Sequence, residues 1–334
     1  MSHSRHRFAS IVLLIAFIAF GLFIFFDWRA MYELLAKANW LYGAYALLFT
    51  ALSYIATSIA FVLVSRLFQL AIPGRRLFSI GFFTIALNNL FSFGGAVGYF
   101  VRVGLLKNEP ASPKEVIAAS LAHSYLSTFA LFAFSPLVMA YLFFAKHLTR
   151  RAEIFADVAG LAAFAVFVCV SLLLALPSFR RRFFALIEAF SKVFARRSIL
   201  PALQEMDDAL ARGMGFLRGA RHSWLSLALL IVIDLTSEMA ALLMCFFALG
   251  SSITPGVLFV GFFFGVVAGM ISMIPGGLGV QEGSMAAVFA LFGVSALHAA
   301  FASILFRLIY YFVPLAFSYA IYFSATFLAT GDAR

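Results

Sequence analysis

Leu41–Ser65 and Val116–Ala145 contain no Asp, Glu, Lys or Arg. About 20 apolar residues in a helix are enough to cross roughly 30 Å of hydrocarbon, so each stretch is long enough to span a bilayer. Further apolar segments run over Phe8–Phe26, Leu77–Phe93 with a continuation to Leu106, Val158–Leu176, Ser223–Leu249, Gly256–Ile274 with a continuation to Phe292, and Ala296–Leu328. None alternates polar and apolar residues as a barrel strand would. Only 11% of the 334 residues are charged, against about 25% in soluble domains. The chain is predicted to be an all-α polytopic membrane protein. Phe8–Phe26 is too long for the apolar region of a signal peptide, and no small-x-small cleavage site precedes Asp27. It is expected to stay as the first span.

Two of the segments are interrupted by glycine. The chain reads FGGAVG at Phe93–Gly98 and IPGGLG at Ile274–Gly279. Proline ends a helix and glycine tolerates the backbone angles of a tight reversal. Gly94, Gly95, Pro275, Gly276, Gly277 and Gly279 are therefore predicted to be the turns of two helical hairpins. The distribution of basic residues agrees. If each hairpin leaves on the side it entered, about six full spans remain and both termini share one face. That face then holds Arg5, Arg7, Arg66, Arg75, Arg76, Lys107, Lys114, the basic residues from Arg180 to Arg221, and Arg334. Cytoplasmic loops are enriched in Lys and Arg, so this face is predicted to be cytoplasmic. Charge does not distinguish arms that stop midway from arms that cross, since both preserve the count.

With this topology the two halves match in order and oppose in direction. Gly81-Phe82-Phe83 recurs as Gly261-Phe262-Phe263, Gly94-Gly95 as Gly276-Gly277, and Pro136-Leu137 as Pro314-Leu315. The prediction is one integral membrane domain over residues 1–334. It comprises an inverted repeat of about 8–145 and about 158–328, joined through a basic amphipathic segment at 178–222. Inverted repeats with broken helices are typical of transporters that bind near the midplane. In the joining segment Phe183, Ile187, Phe190 and Phe194 fall at helical spacing among Arg180, Arg181, Arg182 and Lys192. An interfacial helix over 179–222 on anionic inner-leaflet lipids is expected.

Charges inside the apolar segments carry the functional reading, because a buried ionisable group in a membrane is costly. Asp234 and Glu238 share one helix face. Asp234 lies roughly 18 Å along a helix counted from His222. The pair is predicted to grip a cationic headgroup, carry a proton, or neutralise Arg102 or Arg307. The planar fork of Arg102 suits phosphate. Arg307 is a phosphate anchor or counter-ion if counted from Ser295, and snorkels to the outer interface if counted back from Thr330. Glu282 falls in the first turn of a returning helix, where a carboxylate also favours the helix dipole. Asn88 and Asn89 are placed to bond broken backbone or line a cavity. His123 and His298 read as ordinary interfacial residues. Arg102, Asp234, Glu238, Glu282 and Arg307 are the candidate substrate-binding residues.

Other classes are excluded. No Cys/His ligand spacing, GxxxxGK or HExxH motif appears, so no metal or cofactor is predicted. The two cysteines, Cys169 and Cys245, lie in apolar runs and are assigned to packing. The formal net charge of +10 follows from loop charges rather than a nucleic-acid surface.

PGGLGVQE at Pro275–Glu282, FGGAVGYFVR at Phe93–Arg102 and RLIYYFVPL at Arg307–Leu315 resemble the lysylphosphatidylglycerol synthase transmembrane, or flippase-like, family. The likeness runs from about Leu41 to Leu328. It implies an inverted-repeat protein of the bacterial cytoplasmic (inner) membrane; in bifunctional members of the family this region moves an aminoacylated phospholipid between leaflets. Two departures accompany it: Phe93 stands where members often have proline, and no soluble aminoacyl-transferase domain follows before Arg334. A stand-alone transporter without synthase activity is therefore expected. The function predicted is a flippase or transporter of a phospholipid or related amphiphile. The alternatives are a membrane-embedded lipid-modifying enzyme and a non-catalytic subunit of a lipid synthase. A homo-oligomer or a synthase partner is compatible with either.

Overall fold

The computed structural model describes residues 28–319, apart from 92–95, 108, 145–153, 273 and a scatter of positions between 155 and 220. The predicted first span, Phe8–Phe26, and the turn glycines Gly94 and Gly95 lie outside the described residues, as do seven positions of Val158–Leu176. The described residues are helical and contain no strand. The chain is an all-α membrane protein, and four helical stretches are long and apolar enough to cross a bilayer: Trp40–Leu67, Glu115–Phe144, Trp224–Ala248 and Ala296–Tyr319.

After a short helix α1 (Trp28–Ala36), α2 (Trp40–Leu67) opens the first half. Asn39 caps it, its side-chain oxygen accepting from the Leu41 amide at 3.1 Å. Helices α3 (Gly74–Phe91) and α4 (Ala96–Leu105) form the first hairpin. Next come α5 (Pro113–Ala133) and α6 (Ser135–Phe144). Ser112 and Glu115 start α5 with a reciprocal capping box, and Pro113 occupies a first-turn position where no N–H is needed. Helix α7 (Pro177–Phe194) belongs to the joining segment. The second half repeats the order: a long helix α8 (Arg221–Ala248), a hairpin of α9 (Pro255–Ile271) and α10 (Val280–Leu291), then α11 (Ala296–Arg307) running into a π-helical turn, Leu308–Phe312.

The centre is α2 packed along α8. The two run antiparallel: the Asn39 amide at the start of α2 donates to the Ala248 carbonyl at the end of α8, at 2.8 Å, and Tyr42 meets Phe247 edge to face. Ala46, Tyr54, Ala60 and Phe61 on α2 and Ala241, Leu242, Cys245 and Phe246 on α8 are all buried.

The second hairpin is tight because α9 offers a notched face. Gly261, Gly265 and Gly269 recur every fourth residue, and a Cβ at these positions would fall 2.0 Å from the Phe289 ring, 2.2 Å from Met285 and 3.2 Å from Gln281. Those three side chains recur every fourth residue on α10. Knobs of one arm thus fill notches of the other, the close approach that small residues permit between membrane helices. The glycine spacing is visible in the sequence, although Gly261 enters the sequence reading only as part of a repeat. Gly81, its proposed counterpart, sits instead against Phe61 of α2.

The turn is a 3₁₀ helix, Pro275–Gly277, with Gly276 and Gly277 both at φ +62°. It abuts the last turn of α3, at Asn89 and Leu90. A Cβ on Gly276 would sit 2.4 Å from the Leu90 carbonyl oxygen and 3.2 Å from that of Asn89. Gly276→Ala is therefore expected to lower thermal stability in detergent well beyond Gly293→Ala. Gly293 has a similar φ, +84°, and open space around it, so that variant reports only the left-handed backbone cost of about 1–2 kcal/mol. Equal losses for the two variants would mean that the turn does not bear on α3.

The joining helix departs from expectation in its facing. Arg180, Phe184 and Glu188 form its buried side. Arg180 pairs with Asp207, and Glu188 accepts from Ser198 Oγ at 2.6 Å and pairs with Lys192. Phe190 does lie on the exposed side, beside Leu186, with Arg181 and Arg182 also exposed. Pairing with Asp207, in the same segment, holds Arg180 on the buried side, which an apolar-periodicity count does not register.

Candidate functional site

A cavity of about 340 Å³ lies where the end of α3, the glycine turn, α2, α5 and α8 converge. Its floor is set by the two interrupted elements: Asn88 and Asn89 from the last turn of α3, and Gly276, Gly277 and Gln281 from the second turn. Broken backbone at membrane depth requires substitute partners, and these appear. Asn88 accepts from the Gly98 amide at 3.2 Å, tying α4 back to α3. Asn89 donates to Tyr54 Oη at 3.0 Å.

One wall carries the carboxylates. Asp234 and Glu238 on α8 both border the cavity and are partly exposed there. Asp234 Oδ1 accepts from Ser53 Oγ at 2.5 Å. Ser53 Oγ lies 2.6 Å from Tyr310 Oη. With the serine proton committed to the carboxylate, the tyrosine donates in the second bond. The π turn makes this reach possible. Consecutive residues of an α-helix point about 100° apart, whereas a π turn wraps more residues into each revolution. Tyr310 and Tyr311 accordingly both face the cavity. Pro314 has no N–H for the Tyr310 carbonyl four residues earlier; Tyr54 Oη supplies the donor at 3.0 Å.

The same lining also carries positive charge. Arg102 on α4 is only 3% exposed, and its guanidinium lies 3.9 Å over the Phe61 ring. Its Nε donates to Thr84 Oγ1 at 2.8 Å, but Nη1 is buried without a hydrogen-bond partner among the described residues. Among the described residues no carboxylate pairs with it. Beside it His123 on α5 is 6% exposed, its Nε2 3.1 Å from the Thr57 carbonyl. Ser124, Ser127 and Thr128 add hydroxyls to the lining.

The candidate residues thus divide. Arg102, Asp234 and Glu238 come together around one cavity, while Glu282 and Arg307 stand behind it and bind each other. Arg307 Nη1 donates to the Gly276 carbonyl at 2.7 Å and Nη2 to Gln281 Oε1 at 3.0 Å, with the guanidinium 4.4 Å over the Tyr311 ring. Glu282 also accepts from the Gly279 amide at 2.8 Å, closing the first turn of α10. This quartet staples the glycine turn. Arg307 is 5% exposed, so the surface position allowed by counting back from Thr330 does not occur.

The expectation for His123 is corrected: the side chain is not interfacial but buried on the cavity wall. Ser53, Gln281, Tyr310 and Tyr311 are site residues that the sequence reading does not single out. Polar side chains four apart on a long apolar helix, Ser53 and Thr57, are a usable signal. Asn88 and Asn89, expected in either role, fill both. Among the described residues no cluster of His, Cys, Asp and Glu is arranged to hold a metal. A cavity lined by Arg102 and by two carboxylates can take a group that carries both an anionic and a cationic centre.

A family model for the lysylphosphatidylglycerol synthase TM region matches residues 8–318. No curated protein matches the chain.

Proposed function

The chain belongs to the lysylphosphatidylglycerol synthase transmembrane family, a membrane family tied to lipid handling, and on that premise we propose that it moves a phospholipid or related amphiphile between leaflets. The observation that carries this reading is that Arg102, whose Nη1 has no hydrogen-bond partner among the described residues, lines one cavity together with two carboxylates. A phosphate on Arg102 would complete its donor set, since the planar guanidinium offers parallel N–H groups to oxyanions. Any ammonium in the headgroup would lie against Asp234 and Glu238, with the acyl tails in lipid. Span, hairpin and span recur in each half, and the central helices run antiparallel; both features suit inverted repeats that rock about the site. We place the protein in the bacterial cytoplasmic membrane with both termini in the cytoplasm. Arg181, Arg182, Leu186 and Phe190 of α7 would then meet the anionic inner leaflet.

Purified protein in liposomes tests the reading. Movement of a labelled lipid between leaflets without chemical change supports transport. A modified lipid product identifies an enzyme instead, and neither result identifies a subunit of a larger synthase. Arg102→Gln is expected to slow exchange about tenfold or more, because a hydrogen bond to a charged group contributes roughly 1.5–3 kcal/mol. It should leave the unfolding temperature near that of the parent, since it removes a buried charge that has no ion-pair partner among the described residues. An unchanged rate would remove Arg102 from the site.

A further inference from the structure

We propose that Asp234 and Glu238 hold one proton between them when the cavity is empty, and that this count changes with the net charge of the entering headgroup. The second half of the statement rests on the transport reading; the first does not.

The cavity's charges do not balance. Two carboxylates face it from α8, and among the described residues neither forms an ion pair. Each element packed around them presents its own groups: Arg102 from α4, His123 from α5, Tyr54 from α2, Tyr310 and Tyr311 from the π turn. Arg307 is committed to Glu282 and the glycine turn. With His123 neutral against the Thr57 carbonyl, the ionised cavity carries two negative charges and one positive. An uncompensated charge withdrawn from bulk water costs several kcal/mol, and carboxylates sharing a site disfavour double ionisation. One proton restores neutrality.

The hydrogen-bond chain accepts that proton and keeps both of its bonds. When Asp234 is ionised, Tyr310 donates to Ser53 and Ser53 to the carboxylate. When Asp234 is protonated the chain reverses: the carboxyl donates to Ser53 and Ser53 to Tyr310 Oη, at the same 2.5 Å and 2.6 Å separations. Hydroxyls serve in both directions because each is at once donor and acceptor.

Neutrality also sets what a headgroup does. A zwitterionic headgroup, with phosphate on Arg102 and ammonium on the carboxylates, leaves the proton in place. A net-anionic headgroup enters with a second proton taken from the adjoining solution. A net-cationic one displaces the resident proton to solvent. Carriage of charged headgroups is thereby coupled to the proton gradient, and carriage of neutral ones is not.

Infrared difference spectra of the purified protein in detergent, recorded in H₂O and D₂O, test the resident proton. A protonated-carboxyl stretch is expected at neutral pH. It should be lost in Asp234→Asn with Glu238→Gln and retained in His123→Gln. Absence of the band, or its survival in the double variant, overturns the proposal. Proteoliposomes test the coupling with acyl-labelled phosphatidylglycerol, which is anionic, and phosphatidylcholine, which is zwitterionic. A pH gradient should bias exchange of the first and not the second; equal responses overturn the coupling. If neither lipid moves, the transport reading falls and the coupling with it, while the spectrum still decides whether the pair holds a proton.

Discussion

Asp234→Asn combined with Glu238→Gln is expected to abolish leaflet exchange in proteoliposomes while the protein remains folded and monodisperse in detergent. The replacements are isosteric, and the new amide in place of the Asp234 carboxylate retains an oxygen that can accept from Ser53 at the observed 2.5 Å. The chain from Tyr310 through Ser53 therefore survives. What disappears is all negative charge on the α8 wall, leaving Arg102 as the net charge of the cavity. A headgroup ammonium then loses its counter-charge, and the site loses its proton carrier. The single variants should retain partial activity, since either carboxylate alone still balances Arg102. Exchange at the parental rate in the double variant would take both carboxylates out of the mechanism.

The largest loss of stability is expected from Arg307→Met. This side chain pairs with Glu282, holds the Gly276 carbonyl and holds Gln281, so its removal leaves a buried carboxylate and an unpaired turn carbonyl together. Removing one partner of a buried ion pair costs about 3–5 kcal/mol. Adding Glu282→Gln should recover part of that loss, because the stranded charge is then gone while the amide oxygen still accepts from Gly279. Thermal unfolding in detergent of the two single variants and the double variant measures the coupling. Additive losses would mean that the pair does not act as a unit. Lipid exchange should follow stability in this series, in contrast to the Asp234 and Glu238 series, where exchange is lost at constant stability. The two sets together separate a staple from a binding wall.

Much of the architecture was readable along the chain. The long apolar runs marked four spans that recur among the described helices, and Pro275-Gly276-Gly277 marked the reversal they form. Ser112 and Glu115, three residues apart before an apolar run, carry a capping signal for α5 that the sequence reading did not use. These features are local: hydrophobic transfer, capping and backbone strain depend on a residue and its near neighbours in sequence. The carboxylate pair was legible for the same reason, as spacing of four on one helix placed Asp234 and Glu238 on one face.

The partners of the charged groups were not legible, because partnership joins positions far apart in the chain. Arg102 and Arg307 look alike in sequence, each an arginine after a glycine turn in an apolar segment. Folding brings Arg307 to Gly276, Gln281 and Glu282, and it becomes part of the scaffold. The same folding leaves Arg102 on Phe61 and Thr84, with one nitrogen unmet among the described residues. His123 passes for a surface residue until α2 and α5 close over it, and Ser53 gains meaning only when Asp234 arrives opposite. Hydropathy is a sum along the chain and so specifies what is buried in the membrane. An ion pair depends on a separation of a few ångströms between helices, and the packing of α2, α8 and the two hairpins sets that separation.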